Sequence, residues 1–205
     1  MIAIIDYGVG NIFSLESSLK KIGVEAVLTS EKNVIEKCDR IILPGVGAFG
    51  DAIALLKKNG LDKIIKQECE KQKPLLGICL GMQLLFEKSY EFGNHNGLGL
   101  IKGEVVPMEG RIPKEYKIPH MGWNSLVFPK DKQKSKLYKY TKNGDYVYFV
   151  HSYFATNCTE SVSAYSEYGT DITASSEEGN VFGVQFHPEK SGDVGLGILK
   201  GFCEI

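Results

Sequence analysis

The chain has 205 residues, 43% of them hydrophobic, and a formal net charge of −1. That length and apolar content suit one sizeable core, read as a single domain over residues 1–205. The near-zero charge removes any electrostatic case for nucleic acid or an anionic membrane surface as partner.

Met1 runs directly into an apolar strand, Ile2 to Ile5, with no basic leader. Asp6 to Gly10 reads as a turn. A helix is predicted over Asn11 to Ile22, where Ile12, Leu15, Leu19 and Ile22 recur at helical spacing. Ala26 to Leu28 and Arg40 to Leu43 are the next strands. Asp51 to Gln72 reads as helix, Pro74 to Ile78 as a fourth strand, and Gly81 to Glu87 opens another helix. This alternation implies an α/β fold of three layers: a mostly parallel central sheet flanked by helices. The second half changes character. Gly97 to Pro113 reads as short antiparallel strands, and Tyr146 to Tyr153 and Thr173 to Phe186 continue that extension, with a turn at Glu177 to Asn180. Pro129 to Gly144 is lysine-rich and reads as an exposed connection. Val194 to Phe202 closes the chain as a helix.

Five cysteines, Cys38, Cys69, Cys79, Cys158 and Cys203, form no CxxC pair, so neither a disulfide framework nor a structural zinc site is indicated. With no apolar run near the ~20 residues that span a bilayer, the cytoplasm is the expected compartment. Four of the cysteines read as small core residues. Cys79 differs: it stands in Gly77-Ile78-Cys79-Leu80-Gly81, between a strand and a helix. Glycines on both sides permit the tight turn of a nucleophile elbow, which lifts the sulfur to the carboxyl end of the sheet. The amide of Leu80 would then face an oxyanion formed on a substrate.

A working thiolate needs a proton carrier. Among His95, His120, His151 and His187, only His187 lies in Phe186-His187-Pro188-Glu189, directly after an apolar strand. In extended geometry residues two apart face one side, which would set Glu189 beside the imidazole as its orienting carboxylate. Pro44-Gly45-Val46-Gly47 follows the third strand without the Gly-Lys-Ser/Thr of a phosphate loop. It fits better as the second half of an oxyanion hole. A dinucleotide reading of Gly8-Val9-Gly10 stays open: Phe13 holds the place of the third glycine, but Glu31 lies at the distance of a ribose-binding acid.

Two of these segments, Gly77 to Gln83 and Phe186 to Glu189, resemble the class I (triad) glutamine amidotransferases. Four others resemble, within that class, the glutaminase subunits of imidazole glycerol phosphate synthases: Asp6 to Asn11, Pro44 to Gly47, Pro119 to Asn124 and Tyr148 to Tyr153. The resemblance runs from the first strand to the last helix. It implies that Cys79 attacks the amide of L-glutamine to form a thioester, with His187 moving protons and Glu189 orienting it. The amides of Val46, Gly47 and Leu80 would hold the oxyanion, and Gly47, Gln83, Glu91, Ser152 and Tyr153 would bind glutamine. Asn11, Trp123 and Tyr148 would face a (β/α)₈-barrel cyclase in a heterodimer, which receives the ammonia and makes imidazole glycerol phosphate and an aminoimidazole carboxamide ribotide. No cofactor and no metal are implied. The chain departs from the pattern in the bulk of Tyr90 and Phe92 beside Glu91 and in Gly192-Asp193 after Glu189-Lys190-Ser191. Three rivals stand beside this reading: a similar glutaminase feeding a cyclase-like partner for surface-sugar modification, a stand-alone cysteine hydrolase, and a non-catalytic nucleotide-binding or scaffold module.

Overall fold

The computed structural model describes residues 1–205. In chain order the elements are β1 (Ile2–Ile5), α1 (Ile12–Lys21), β2 (Ala26–Thr29), α2 (Lys32–Lys37), β3 (Arg40–Leu43), α3 (Phe49–Lys58), α4 (Leu61–Glu70), β4 (Leu75–Ile78) and α5 (Leu80–Leu85). Then follow β5 (Phe86–Ser89), β6 (His95–Asn96), β7 (Ile101–Pro107), β8 (His120–Ser125), β9 (Tyr146–His151), β10 (Tyr153–Thr156), β11 (Val162–Glu167), β12 (Asp171–Glu178), β13 (Val181–Val184) and α6 (Gly192–Cys203).

The central sheet has seven strands in the order β11-β12-β13-β4-β3-β1-β2. Pairing is parallel from β13 through β2 and antiparallel at β12 and β11. Side-chain alternation divides each parallel strand between two cores. Ala3, Ile5, Ile41, Leu43 and Leu75 join one cluster with the apolar sides of α2, α3, α4 and α5. Ile2, Ile4, Ile42, Leu76 and Ile78 join the other, with Leu15 and Leu19 of α1 and Ile198, Leu199 and Phe202 of α6. Burying both faces is why these strands are apolar at nearly every position. Each fully buried Ile or Leu is worth roughly 1.5–3 kcal/mol relative to exposure.

The α/β expectation, with its mostly parallel sheet and antiparallel extension, matches this architecture. Several boundaries differ for physical reasons. The predicted Asp51–Gln72 helix is two helices, because Asn59 and Gly60 close α3 with amide bonds to the Leu55 and Lys57 carbonyls. The helix predicted to run to Glu87 ends at Leu85, and Phe86 enters β5 of a four-stranded sheet ordered β10-β7-β5-β6. Gly97–Pro113 holds one strand, β7, parallel to β5 and antiparallel to β10, instead of several. Tyr146–Tyr153 belongs to two strands, since the chain breaks at Ser152. Pro129–Gly144 is not wholly exposed: a 3₁₀ turn at Lys136–Tyr138 drives Leu137 and Tyr138 into the second core, with the Tyr138 hydroxyl donating to Ser175 Oγ at 2.5 Å. No helix is long and apolar enough to cross a membrane.

Candidate active site

Strands β4 and β13 lie side by side and run parallel, with Ile78 opposite Val184. Their carboxyl ends therefore deliver the next residues of each, Cys79 on one and the Gln185-Phe186-His187 segment on the other, to one rim of the sheet. Cys79 has φ 54° and ψ −111°, a sparsely populated conformation for a residue with a Cβ. Such strain costs on the order of 1–3 kcal/mol and persists only where surrounding structure enforces it. Here the Cys79 amide donates to the Val184 carbonyl at 2.8 Å and its carbonyl accepts from the Gln83 amide at 3.2 Å. Gly81 makes the turn possible. A Cβ there would collide with the Leu43 carbonyl of the adjoining strand.

His187 is buried, and its Nδ1 lies 2.8 Å from Glu189 Oε1. The carboxylate only accepts, so Nδ1 carries the proton and Nε2 is the nitrogen left for chemistry. Nε2 makes no hydrogen bond within the chain. Burial disfavours the imidazolium, but the adjacent Cys79 sulfur and the Glu189 carboxylate outweigh it and lift the pKa to about 9. The route to this pairing differs from the extended geometry expected from sequence. Pro188–Lys190 is a 3₁₀ turn, and that turn curls Glu189 back beneath the ring. Asn11 Nδ2 donates to the same Glu189 oxygen at 3.3 Å, so Asn11, read from sequence as a partner contact, also touches the carboxylate that orients His187.

A cavity of about 360 Å³ opens over the sulfur. Val46, Gly47, Cys79, Leu80, Gln83, Glu91, Ser152, Tyr153 and His187, all singled out from sequence, line it together with Val150 and His151. The amides of Val46, Gly47 and Leu80 donate to no group in the loops and caps around them, which leaves them free for an oxyanion. Gly47 holds φ +95°, a left-handed value that glycine adopts without strain. Glu91 has one oxygen committed to the Phe49 amide at 2.5 Å. Burial raises its pKa, against the pull of that amide and of His95. Trp123 and Tyr148 lie elsewhere, opposite each other across β8 and β9 with ring centroids 6.2 Å apart.

Sequence reasoning missed three neighbours of the sulfur and its pocket. Gln185 Nε2 lies 3.7 Å from Cys79 Sγ, the Val150 carbonyl lies 3.9 Å from it, and buried His151 forms part of the wall. Gln185 had a signal: it is a lone polar residue within an apolar run, and a fully buried amide needs a polar partner.

His120 and His151 are buried and neutral. Burial pushes His120 down to about 4, and burial together with the neighbouring His120 pushes His151 down to about 3. The unfolded chain takes up these protons near pH 6.5, so between there and about pH 3 the unfolded state binds more protons than the folded one. Stability should therefore fall as pH falls through that window. We expect the urea midpoint to drop from pH 6.5 to pH 5, and to drop less in His120→Phe. An equal drop in both proteins would contradict this assignment.

Comparison with known proteins agrees with the geometry. Residues 3–203 match the family model for glutamine amidotransferase class-I. The chain is 54% identical to the imidazole glycerol phosphate synthase subunit HisH of Caldanaerobacter subterraneus subsp. tengcongensis, over 100% of this chain and 98% of that protein. It is 49% identical to the subunit of the same name from Wolinella succinogenes, over 100% of both. Among solved structures, one described as PurLQS from Thermotoga maritima superposes with a TM-score of 0.75 at 20% identity, covering 99% of this chain and 97% of that one, a likeness of fold. The chain belongs to the class-I glutamine amidotransferase family.

Proposed function

We propose that the chain, acting as one glutaminase domain, is the ammonia-supplying subunit of an imidazole glycerol phosphate synthase. The observation that carries this reading is the pocket itself: an elbow cysteine, a histidine whose Nε2 is unpaired, and Val46, Gly47 and Leu80 with unpaired amides all line one cavity of about 360 Å³. Full-length relatives named as subunits of that synthase support the pathway.

In this reading the Cys79 thiolate attacks the side-chain carbonyl carbon of L-glutamine, and the oxyanion turns to the amides of Val46, Gly47 and Leu80. His187 gives its Nε2 proton to the departing nitrogen, ammonia leaves, and a γ-glutamyl thioester remains. Water then attacks the thioester, His187 takes its proton, and glutamate is released with the thiolate restored. Glu189 orients the imidazole throughout. Gln83, Glu91, Ser152 and Tyr153 hold the substrate.

The partner is a (β/α)₈-barrel cyclase forming a heterodimer. Phe13, Met121 and Trp123 expose 82%, 60% and 56% of their surface, apolar groups a partner would cover. Five free thiols are in keeping with the cytoplasm. The test is reconstitution: glutamate release should be slow for the chain alone and rise when the cyclase and its nucleotide substrate are added. Hydrolysis that stays unchanged with that cyclase would overturn the histidine-pathway assignment.

A further inference from the structure

A continuous run of hydrogen bonds leads from the exposed β8–β9 ribbon to the nucleophile. His120 and His151 are direct partners across the two strands, with His120 Nδ1 3.0 Å from His151 Nε2. His151 Nδ1 lies 2.9 Å from the Tyr153 carbonyl oxygen. A carbonyl only accepts, so His151 carries its proton on Nδ1. In the neutral ring Nε2 is then a lone pair, which obliges His120 to donate from its own Nδ1. His120 Nε2 is in turn a lone pair, met by Asn124 Nδ2 at 3.4 Å. The Asn124 amide cannot be turned round: its oxygen accepts from the Ser125 amide at 2.8 Å, and its nitrogen donates to the Glu167 carbonyl at 2.7 Å. From Asn124 to the Tyr153 carbonyl every proton therefore points one way.

Beyond Tyr153 the run continues into the pocket. Gln83 Nε2 donates to the same Tyr153 carbonyl at 3.1 Å and to Gln185 Oε1 at 2.9 Å, and Gln185 Nε2 reaches Cys79 Sγ at 3.7 Å. The His120 ring is clamped between Phe149 and Tyr168, with centroid distances of 4.7 and 4.0 Å. On the same strand Met121 and Trp123 face outward while His120 and Asn124 face in.

We infer that His120 and His151 form a neutral, one-way hydrogen-bonded pair that positions the Val150–Tyr153 wall of the glutamine pocket and ties the exposed β8–β9 ribbon to the Cys79 sulfur. They are positioning residues, acting through Tyr153 and Gln83 and not on the reacting atoms. The lowered basicity of both rings agrees with a pair that has no room for a further proton. The kinetic consequence rests on the glutaminase reading; the proton placement does not.

Two measurements test it. Imidazole ¹⁵N spectra of the full chain at pH 7 should show His120 and His151 both neutral with the proton on Nδ1; either ring protonated on Nε2 overturns the pair. The second uses glutamine kinetics of the complex with the barrel cyclase. His120→Phe keeps an aromatic ring between Phe149 and Tyr168 but loses the donor, and KM should rise about tenfold. His120→Asn loses the ring but places an amide nitrogen near the Nδ1 position, and KM should stay within about threefold of the parent. A packing role would rank the variants the other way, and that order, or an unchanged KM in His120→Phe, overturns the inference. Should the parent protein hydrolyse no glutamine, the functional reading fails, while the spectra still decide the pair.

Discussion

Replacing Cys79 by alanine is expected to lower glutamine hydrolysis by roughly 10⁴–10⁶-fold, the scale seen when the nucleophile of a triad is removed. The site offers no substitute. Cys38, Cys69 and Cys158 are buried away from the cavity, and Cys203 lies in the last helix. The same variant should assemble with the proposed barrel cyclase and support its synthesis when ammonium salt replaces glutamine, because no thiol takes part once ammonia exists. Glutamate release and cyclised product, measured side by side, separate the two steps. Loss of the ammonium-driven reaction as well would mean that Cys79 holds the fold or the docking surface together, and the thioester mechanism would lose its main support.

Gly81→Ala is expected to destabilise the protein by about 3 kcal/mol or more, an unusually large effect for one added methyl group. The methyl would collide with the Leu43 carbonyl and meet the adjoining Pro44 backbone. These are main-chain atoms of β3 and of the loop that follows it, and neither can rotate away as a side chain would. Relief requires α5 to move off the sheet, which carries the Cys79 turn with it. A urea midpoint equal to that of the parent would show that α5 shifts freely. The strained elbow would then not be held by the packing described above.

The parallel half of the fold is legible because β1, β3 and β4 are buried on both faces and are therefore without polar residues except Arg40 at the start of β3. The elbow is legible because a close backbone approach leaves a glycine on record. Strand β8 is hidden for the opposite reason. Its inward residues are His120 and Asn124, its outward ones Met121 and Trp123, so hydropathy along it runs backwards. Helix α2 has six residues with only Val34 and Ile35 apolar, too few to show a period. All six residues of α5 are buried, which erases the amphipathic stripe that would have marked its end. Lysines around Leu137 and Tyr138 mask a segment that anchors the second core. In the site, Cys79, His187 and Glu189 could be read from local chemistry. Gln83, Glu91, Ser152 and Tyr153 could be named only through resemblance, since no local pattern distinguishes a pocket-lining polar group from a surface one.

The neighbouring placement of β4 and β13 sets an order of events during synthesis. Cys79 leaves the ribosome long before His187, and β13, the strand that leads to the histidine, docks on β4 and joins the β11–β12 pair to the sheet. Until that docking the thiol has no imidazole beside it and the elbow lacks the Val184 carbonyl that holds its amide. An unfinished polypeptide thus lacks the proton carrier that glutamine hydrolysis needs, and the reaction waits for the last strand.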